Sequence, residues 1–313
     1  MIRVRHLHHR YGETAVLDDV SFEVGAGEIF GFVGPNGAGK TTTIRILATL
    51  LEPTAGKIEV DGIDVVLEPH RVRRVLGYMP DHAGLYEITT VREYLEFFSE
   101  AFGVGHGVVA GVMELTDIAG LADKSVASMS KGQKQRLQLA RILLHDPKVL
   151  VLDEPASDLD PRARIELRDL LIELRRLGKT IFLSSHILTE LADLCTSVAI
   201  LEHGKIIAAG PVAGIARQVG ERISMEGSER RTKVRVLAPL EQLEAALAGV
   251  DVVIEAIPAT TGASAWLQHS GGDEEAAEIV KRIVMAGIPL VSAEPEQSDL
   301  ERVFLRLTRG DAA

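Results

Sequence analysis

In EIFGFVGPNGAGKTTTIRIL, residues 28–47, an apolar run passes through a glycine-rich turn into a helical pattern. The turn itself, Gly34, Pro35, Asn36, Gly37, Ala38, Gly39, Lys40 and Thr41, has the spacing of a phosphate-binding loop, and Thr42 follows it into the helix. Glycines let backbone N–H groups converge on phosphate oxygens, the lysine reaches the β- and γ-phosphates, and the Thr41 hydroxyl suits Mg²⁺. A functionless glycine turn needs neither the strand before it nor the helix after it. The stretch therefore predicts a strand–loop–helix unit that binds a nucleoside triphosphate.

Such a loop belongs to an α/β fold, and the surrounding sequence agrees. VSFEV, EIFGFVG, KVLVLD, TIFLSS and VAILEHG read as strands, and residues 39–50, 90–102, 131–145, 161–176 and 186–194 as helices. Val149–Leu152 is apolar at every position, which suits a central parallel strand covered on both faces. The same strand runs out into VLVLDEP, where Asp153 is placed for Mg²⁺ and Glu154 for polarising the water that attacks a γ-phosphate. Away from the loop at 34–41, this Asp-Glu pair would read as a solvated strand end or a helix cap.

At 313 residues the chain is long enough to bury two cores. Periodicity lapses in VGERISMEGSERRT, so we expect an ATP-binding domain over 1–218, with a helical subdomain near 82–145, a linker over 219–232 and an accessory domain over 233–313. In the accessory domain KVRVLA, LEQLEAALA, DVVIEAI, SAWLQHS, EEAAEIVKRIVMAG and PLVSAEP follow the β-α-β-β-α-β order of a ferredoxin-like α+β unit, with Trp266 expected in its core and SDLERVFLRLT as a last helix. The N-terminus is charged from its third residue and no run of about 20 apolar residues follows, so the sequence predicts a soluble protein whose membrane connection runs through a partner. A net charge of −11 argues against a broad nucleic-acid surface. The single Cys195 excludes an internal disulfide and reads as a small apolar residue, and His6, His8 and His9 read as surface residues rather than a metal site.

The remaining motifs narrow the class. Ser130–Gln133 is SKGQ, Ser157–Asp160 is SDLD, His186 closes SSH, and Tyr11 lies in HRYGE. With the loop and strand above, these residues resemble the ATP-binding subunits of ABC transporters, in consistent order over about residues 1–215. The resemblance implies a phosphate-loop ATPase core with an N-terminal antiparallel β layer and a helical subdomain. It implies that Tyr11 stacks on adenine, that SDLD is the family's D-loop, and that His186 contacts the γ-phosphate. It implies further that Ser130, Gly132 and Gln133 form a signature that binds ATP held by a second subunit, expected to be an identical copy. A serine and a backbone N–H at a helix start are suited to phosphate.

Two positions depart from the family pattern. Lys131 replaces a glycine of the signature, where it adds positive charge near phosphate or points to solvent. Asp81, in LGYMPDHAGLYE, replaces a glutamine; a carboxylate there accepts only, and it either ligates Mg²⁺ or its water more tightly or leaves the position less engaged. Beyond it, Leu85, Tyr86, Tyr94, Phe97 and Phe98 are expected as subdomain core beside a groove for a permease helix. The single ATPase module with its tail is similar to subunits that power a separate polytopic permease at the cytoplasmic face of the cell membrane, including multidrug and antibiotic exporters. The alternative, a soluble ABC ATPase acting on ribosomes or DNA, would bring two modules in one chain or a long coiled-coil insertion, and neither is present.

Overall fold

The computed structural model describes residues 1–81, 84–187, 191, 194–212, 214–215, 230–259, 261–270 and 273–295. The chain divides into two compact units, Met1–Ile215 and Ala216–Ala313. The first unit begins with β1 (Ile2–Tyr11), β2 (Thr14–Val24), β3 (Ile29–Val33), α1 (Lys40–Leu47), β4 (Ala55–Val60) and β5 (Ile63–Asp64). It continues with α2 (Pro69–Val75), β6 (Leu76–Met79), α3 (Val91–Phe102), α4 (Val109–Leu115) and α5 (Lys131–Leu143). It ends with β7 (Val149–Leu152), α6 (Pro161–Arg176), β8 (Thr180–Ser185), β9 (Ser197–Glu202) and β10 (Lys205–Pro211).

These strands form two sheets, one antiparallel in the order β2-β1-β4-β5, the other in the order β10-β9-β3-β8-β7-β6. In the second sheet β9, β3, β8, β7 and β6 run parallel, and β10 closes the edge antiparallel. Every residue of β3, β7 and β8 is buried, as expected of parallel strands covered on both faces. The sheets are joined by aromatic packing: Phe22 of β2 lies against Phe30, Phe32 and Phe182 at ring-centroid distances of 5.5, 5.4 and 5.8 Å. Each such ring contributes roughly 1.5–3 kcal/mol by leaving water.

A separate apolar cluster holds α3, α4 and α5 together, built on Val91, Tyr94, Leu95, Met113, Leu137, Ala140 and Leu144. α3 starts at a capping box between Thr90 and Glu93 and stops at Gly103 in the left-handed conformation, φ 70°. Of the aromatic group expected here, Tyr94 is buried, whereas Tyr86 and Phe97 are about half exposed. Among the described residues no helix is long and apolar enough to cross a membrane.

The second unit contains β11 (Arg230–Val236), α7 (Leu240–Ala246), β12 (Val252–Ile257), β13 (Ala263–His269), α8 (Asp273–Met285) and β14 (Leu290–Pro295). Its sheet has the order β12-β13-β11-β14 with all pairings antiparallel. Val234, Val236, Ala265 and Leu267 face a core shared with Leu243, Ile279 and Ile283. Trp266 is therefore not core. Strand alternation gives Ala265 and Leu267 the inner face and leaves Trp266 on the outer one, with the Arg231 guanidinium 5.4 Å and the Lys233 ammonium 5.9 Å from its ring.

The expected linker at 219–232, up to residue 229, the final helix SDLERVFLRLT and most of the expected helix 186–194 lie outside the described residues. Cys195 is buried, and desolvation pushes its thiol up to about 12, consistent with an inert apolar role. His9 departs from expectation: it is buried rather than on the surface, packed edge-on against Tyr11 at 4.7 Å.

Candidate functional site

The loop between β3 and α1 is shaped by two glycines that admit no side chain. A Cβ at Gly34 would fall 2.4 Å from the Leu201 carbonyl oxygen, and one at Gly39, φ 109°, would fall 2.6 Å from Leu17 Cδ2. Lys40 opens α1 and folds back over the loop, its Nζ donating to the Gly34 and Pro35 carbonyls at 2.7 and 3.2 Å. The same ammonium stands 3.3 Å from Glu154 Oε1.

Strands β7 and β8 deliver the acidic side. Asp153 follows β7 and is 3% exposed. Ser184 Oγ donates to Asp153 Oδ1 at 2.7 Å and accepts from the Glu154 backbone N–H at 2.9 Å, so one hydroxyl from β8 anchors the Asp153 carboxylate and the Glu154 backbone. Glu154 itself has a left-handed backbone, φ 47°, which turns its side chain toward the loop. Its Oε2 lies 2.7 Å from His186 Nδ1. Burial raises the Asp153 carboxyl above the ordinary aspartate range, against the hydrogen bonds from Ser184 and Thr41, and the negative charges of Glu154 and Asp81 add to the rise.

Lys40, Glu154 and His186 line one cavity of about 470 Å³, walled also by Pro35, Asn36, Gly37, Gly39, Thr41, Thr42 and Asp81, while Asp153 and Ser184 lie outside its lining. Gly34 and Ala38 shape the loop from behind it. Val16 and Ser157, the first residue of SDLD, also line the cavity; Val16 did not stand out in the sequence, and Ser184 entered only as part of SSH, with no role of its own. The signal for Ser184 was present only as the residue two before His186. Glu154, Ser157 and His186 border a second cavity of about 440 Å³ against α6. Tyr11, at the end of β1 and 47% exposed, does not line the nucleotide-sized cavity.

The donor set suits a hard divalent cation. A buried carboxylate, a threonine hydroxyl bonded to it and the Asp81 carboxylate are all oxygen ligands, and a cation would relieve the desolvation that raises Asp153. Among the described residues no cluster of three or more His, Cys, Asp or Glu is arranged to hold a metal.

Ser130, Gly132 and Gln133 stand elsewhere and do not line this cavity. They form the start of α5, where Ser130 Oγ accepts from the Gln133 N–H at 3.3 Å and Gln133 Oε1 accepts from the Ser130 N–H at 3.1 Å. Lys131 neither reaches the cavity nor points to solvent alone: its Nζ lies 2.8 Å from Asp158 Oδ2.

The geometry agrees with the comparisons. The ABC transporter family matches residues 17–157. The Nod factor export ATP-binding protein I of Ralstonia nicotianae is 37% identical over 252 residues, 78% of each chain. The daunorubicin resistance ATP-binding protein of Streptomyces coeruleorubidus is 34% identical over 320 residues, 99% of this chain and 96% of its own. A solved structure described as the ATP binding subunit of an ABC transporter superposes with a TM-score of 0.64 at 33% identity, covering 71% of this chain and 94% of that one. With a phosphate loop, the Glu154 carboxylate and a histidine converging on one cavity, and Asp153 buried next to Glu154, the chain belongs to the ATP-binding proteins of the ABC transporter family and is an ATPase.

Proposed function

We propose that this protein powers export through a separate polytopic membrane permease, working at the cytoplasmic face of the membrane as a pair of chains that sandwich two ATP molecules. One observation carries the reading: the loop, Glu154 and His186 share a cavity from which the chain's own Ser130, Gly132 and Gln133 are absent. A helix start equipped for phosphate but placed off its own nucleotide site is complete only with a second copy. Relatives named for Nod factor export and daunorubicin resistance support the direction of transport.

In the proposed mechanism the loop N–H groups and Lys40 hold the β- and γ-phosphates, and Tyr11 stacks on adenine. Thr41, Asp153 and Asp81 would hold Mg²⁺, which supplies charge neutralisation at the phosphate oxygens when bound. Glu154 accepts a hydrogen bond from the attacking water and draws off its proton, while His186 fixes the carboxylate and faces the terminal phosphate. Ser130 and the Gly132 N–H of the second chain donate to the same phosphate. The C-terminal unit, for which we propose a ferredoxin-like fold, supports the dimer or regulates it.

Copurification with any multi-span membrane protein encoded beside it, followed by ATPase assays with and without that partner in lipid, tests the reading. Stimulation of hydrolysis by the permease is expected. A chain that hydrolyses ATP but neither binds nor responds to any such partner would exclude the transport role.

A further inference from the structure

The seam between the start of α5 and the start of α6 has a fixed part and a labile part. In the fixed part Gly132 is pressed on α6, where a Cβ would fall 2.9 Å from that of Ala163. Arg136, whose side chain is only 14% exposed, donates to Glu166 at 2.7 Å and also holds Asp117. The labile part is the pair Lys131–Asp158, at 2.8 Å with side chains 47% and 75% exposed. An ion pair so open to water is readily exchanged for a better partner.

The position of this pair is informative. Lys131 is the first residue of α5, next to the cap Ser130. A cation there faces the positive end of the helix and needs an anion beside it. Asp158 supplies one from a turn that begins at Glu154: the Ser157 N–H donates to the Glu154 carbonyl at 3.1 Å, and Glu154 and Asp158 both have left-handed backbones, φ 47° and 54°. Non-glycine residues in that region persist only where neighbouring contacts hold them. The side chain of Lys131 thus touches the turn that begins at Glu154 in its own chain, while its backbone belongs to the helix start offered to another chain's nucleotide.

We propose that Lys131 is a phosphate-sensing residue: its ammonium passes from Asp158 to the terminal phosphate of ATP held by a second copy of the chain, and so gives up its contact with the turn that carries Glu154. This rests on the shared-site reading above. A phosphate bearing more than one negative charge outcompetes a water-exposed carboxylate for the ammonium. Asp158 is then a competitor of ATP before the chains close and a signal to Glu154 once they have. A mere brace between α5 and α6 would need only that the two charges be opposite.

The charge swap separates these alternatives. In the full chain carrying Glu154→Gln, light scattering would follow dimer formation against ATP concentration. Asp158→Ala should lower the half-saturating ATP roughly two- to five-fold, Lys131→Ala should raise it about ten-fold, and Lys131→Arg should keep the parental value. The double variant Lys131→Asp with Asp158→Lys, which restores an ion pair but faces the phosphate with a carboxylate, should dimerise no better than Lys131→Ala. Recovery of the parental curve by the swap, or equal shifts in the same direction from both single alanine variants, would overturn the sensor. Should a variant unfold on melting, Lys131→Gln and Asp158→Asn, which keep size, replace it under the same criteria. A parent that binds ATP without dimerising would remove the shared-site reading itself, and this inference with it.

Discussion

His186 Nδ1 and Lys40 Nζ grip opposite oxygens of one carboxylate: Glu154 Oε2 at 2.7 Å from the histidine and Oε1 at 3.3 Å from the lysine. Three elements, the end of β8, the start of α1 and the end of β7, thereby meet at a single side chain. Glu154 is held in place rather than free, which favours its assignment as the group that orients water. Glu154→Gln keeps both neighbours in hydrogen-bond reach but cannot take a proton. We expect ATP binding to persist and turnover to fall by about 10²–10⁴. Steady-state ATPase rates beside nucleotide titrations check this; near-wild-type turnover would remove Glu154 from the proposed role.

Asp153 gives a prediction whose sign depends on pH. Its carboxyl is raised above the ordinary value by burial, so the folded chain holds this proton to higher pH than the unfolded chain does. The folded state is therefore penalised for ionising it: stability falls as pH rises from the unfolded value through the folded one, and the penalty stays in force above. Asp153→Asn removes that loss while keeping an acceptor for Ser184. The variant should gain more stability relative to wild type at pH 7 than at pH 4 by urea denaturation, yet lose the Mg²⁺-dependent part of its stabilisation by ATP. Equal stability changes at both pH values would show that the carboxyl is not desolvated in solution.

How much of this site was legible in the sequence depended on how local the chemistry is. Residues 34–41 could be read because each one's role follows from its own type and spacing, and Asp153 and Glu154 because a fully apolar strand announces where its end must lie. Ser184 could not be distinguished from any other serine, since its importance comes from β8 pairing beside β7. Strict alternation from Ile2 and Val4 would put His9 on the outer face; a register shift around His6, φ 48°, turns Leu7 and His9 inward instead, and nothing in the sequence announces it. The charge partner of Lys131 was hidden for the opposite reason: Asp158 is 27 residues away and meets it only because α5 and α6 pack together.

Asp81 lines the nucleotide cavity at the point where the chain leaves β6 for the helical layer. If its carboxylate links metal to that layer, Asp81→Ala should uncouple hydrolysis from transport more than it weakens ATP binding. The ratio of substrate moved to ATP consumed, measured with permease in vesicles, should drop several-fold while nucleotide affinity changes little. An unchanged ratio would make the position structural.

A pair of inactive variants tests whether two chains share each site. Lys40→Ala removes the cation that the loop folds over its own carbonyls, and Ser130→Arg fills the start of α5 with a bulky side chain; each should abolish nucleotide closure in a homodimer. In a mixed dimer with shared sites, both lesions fall in one site and the other joins an intact loop to an intact helix start. Closure should then return at that site, at about half the occupancy of the parent. If each chain instead served its own nucleotide, every site would keep one lesion and nothing would recover. Because turnover can require two working sites, the measurement is ATP occlusion on a Glu154→Gln background, with differential tags to confirm that the chains have exchanged. Verified mixed dimers that fail to occlude ATP, when the parent does, would mean that Ser130, absent from the cavity of its own chain, serves no nucleotide on another.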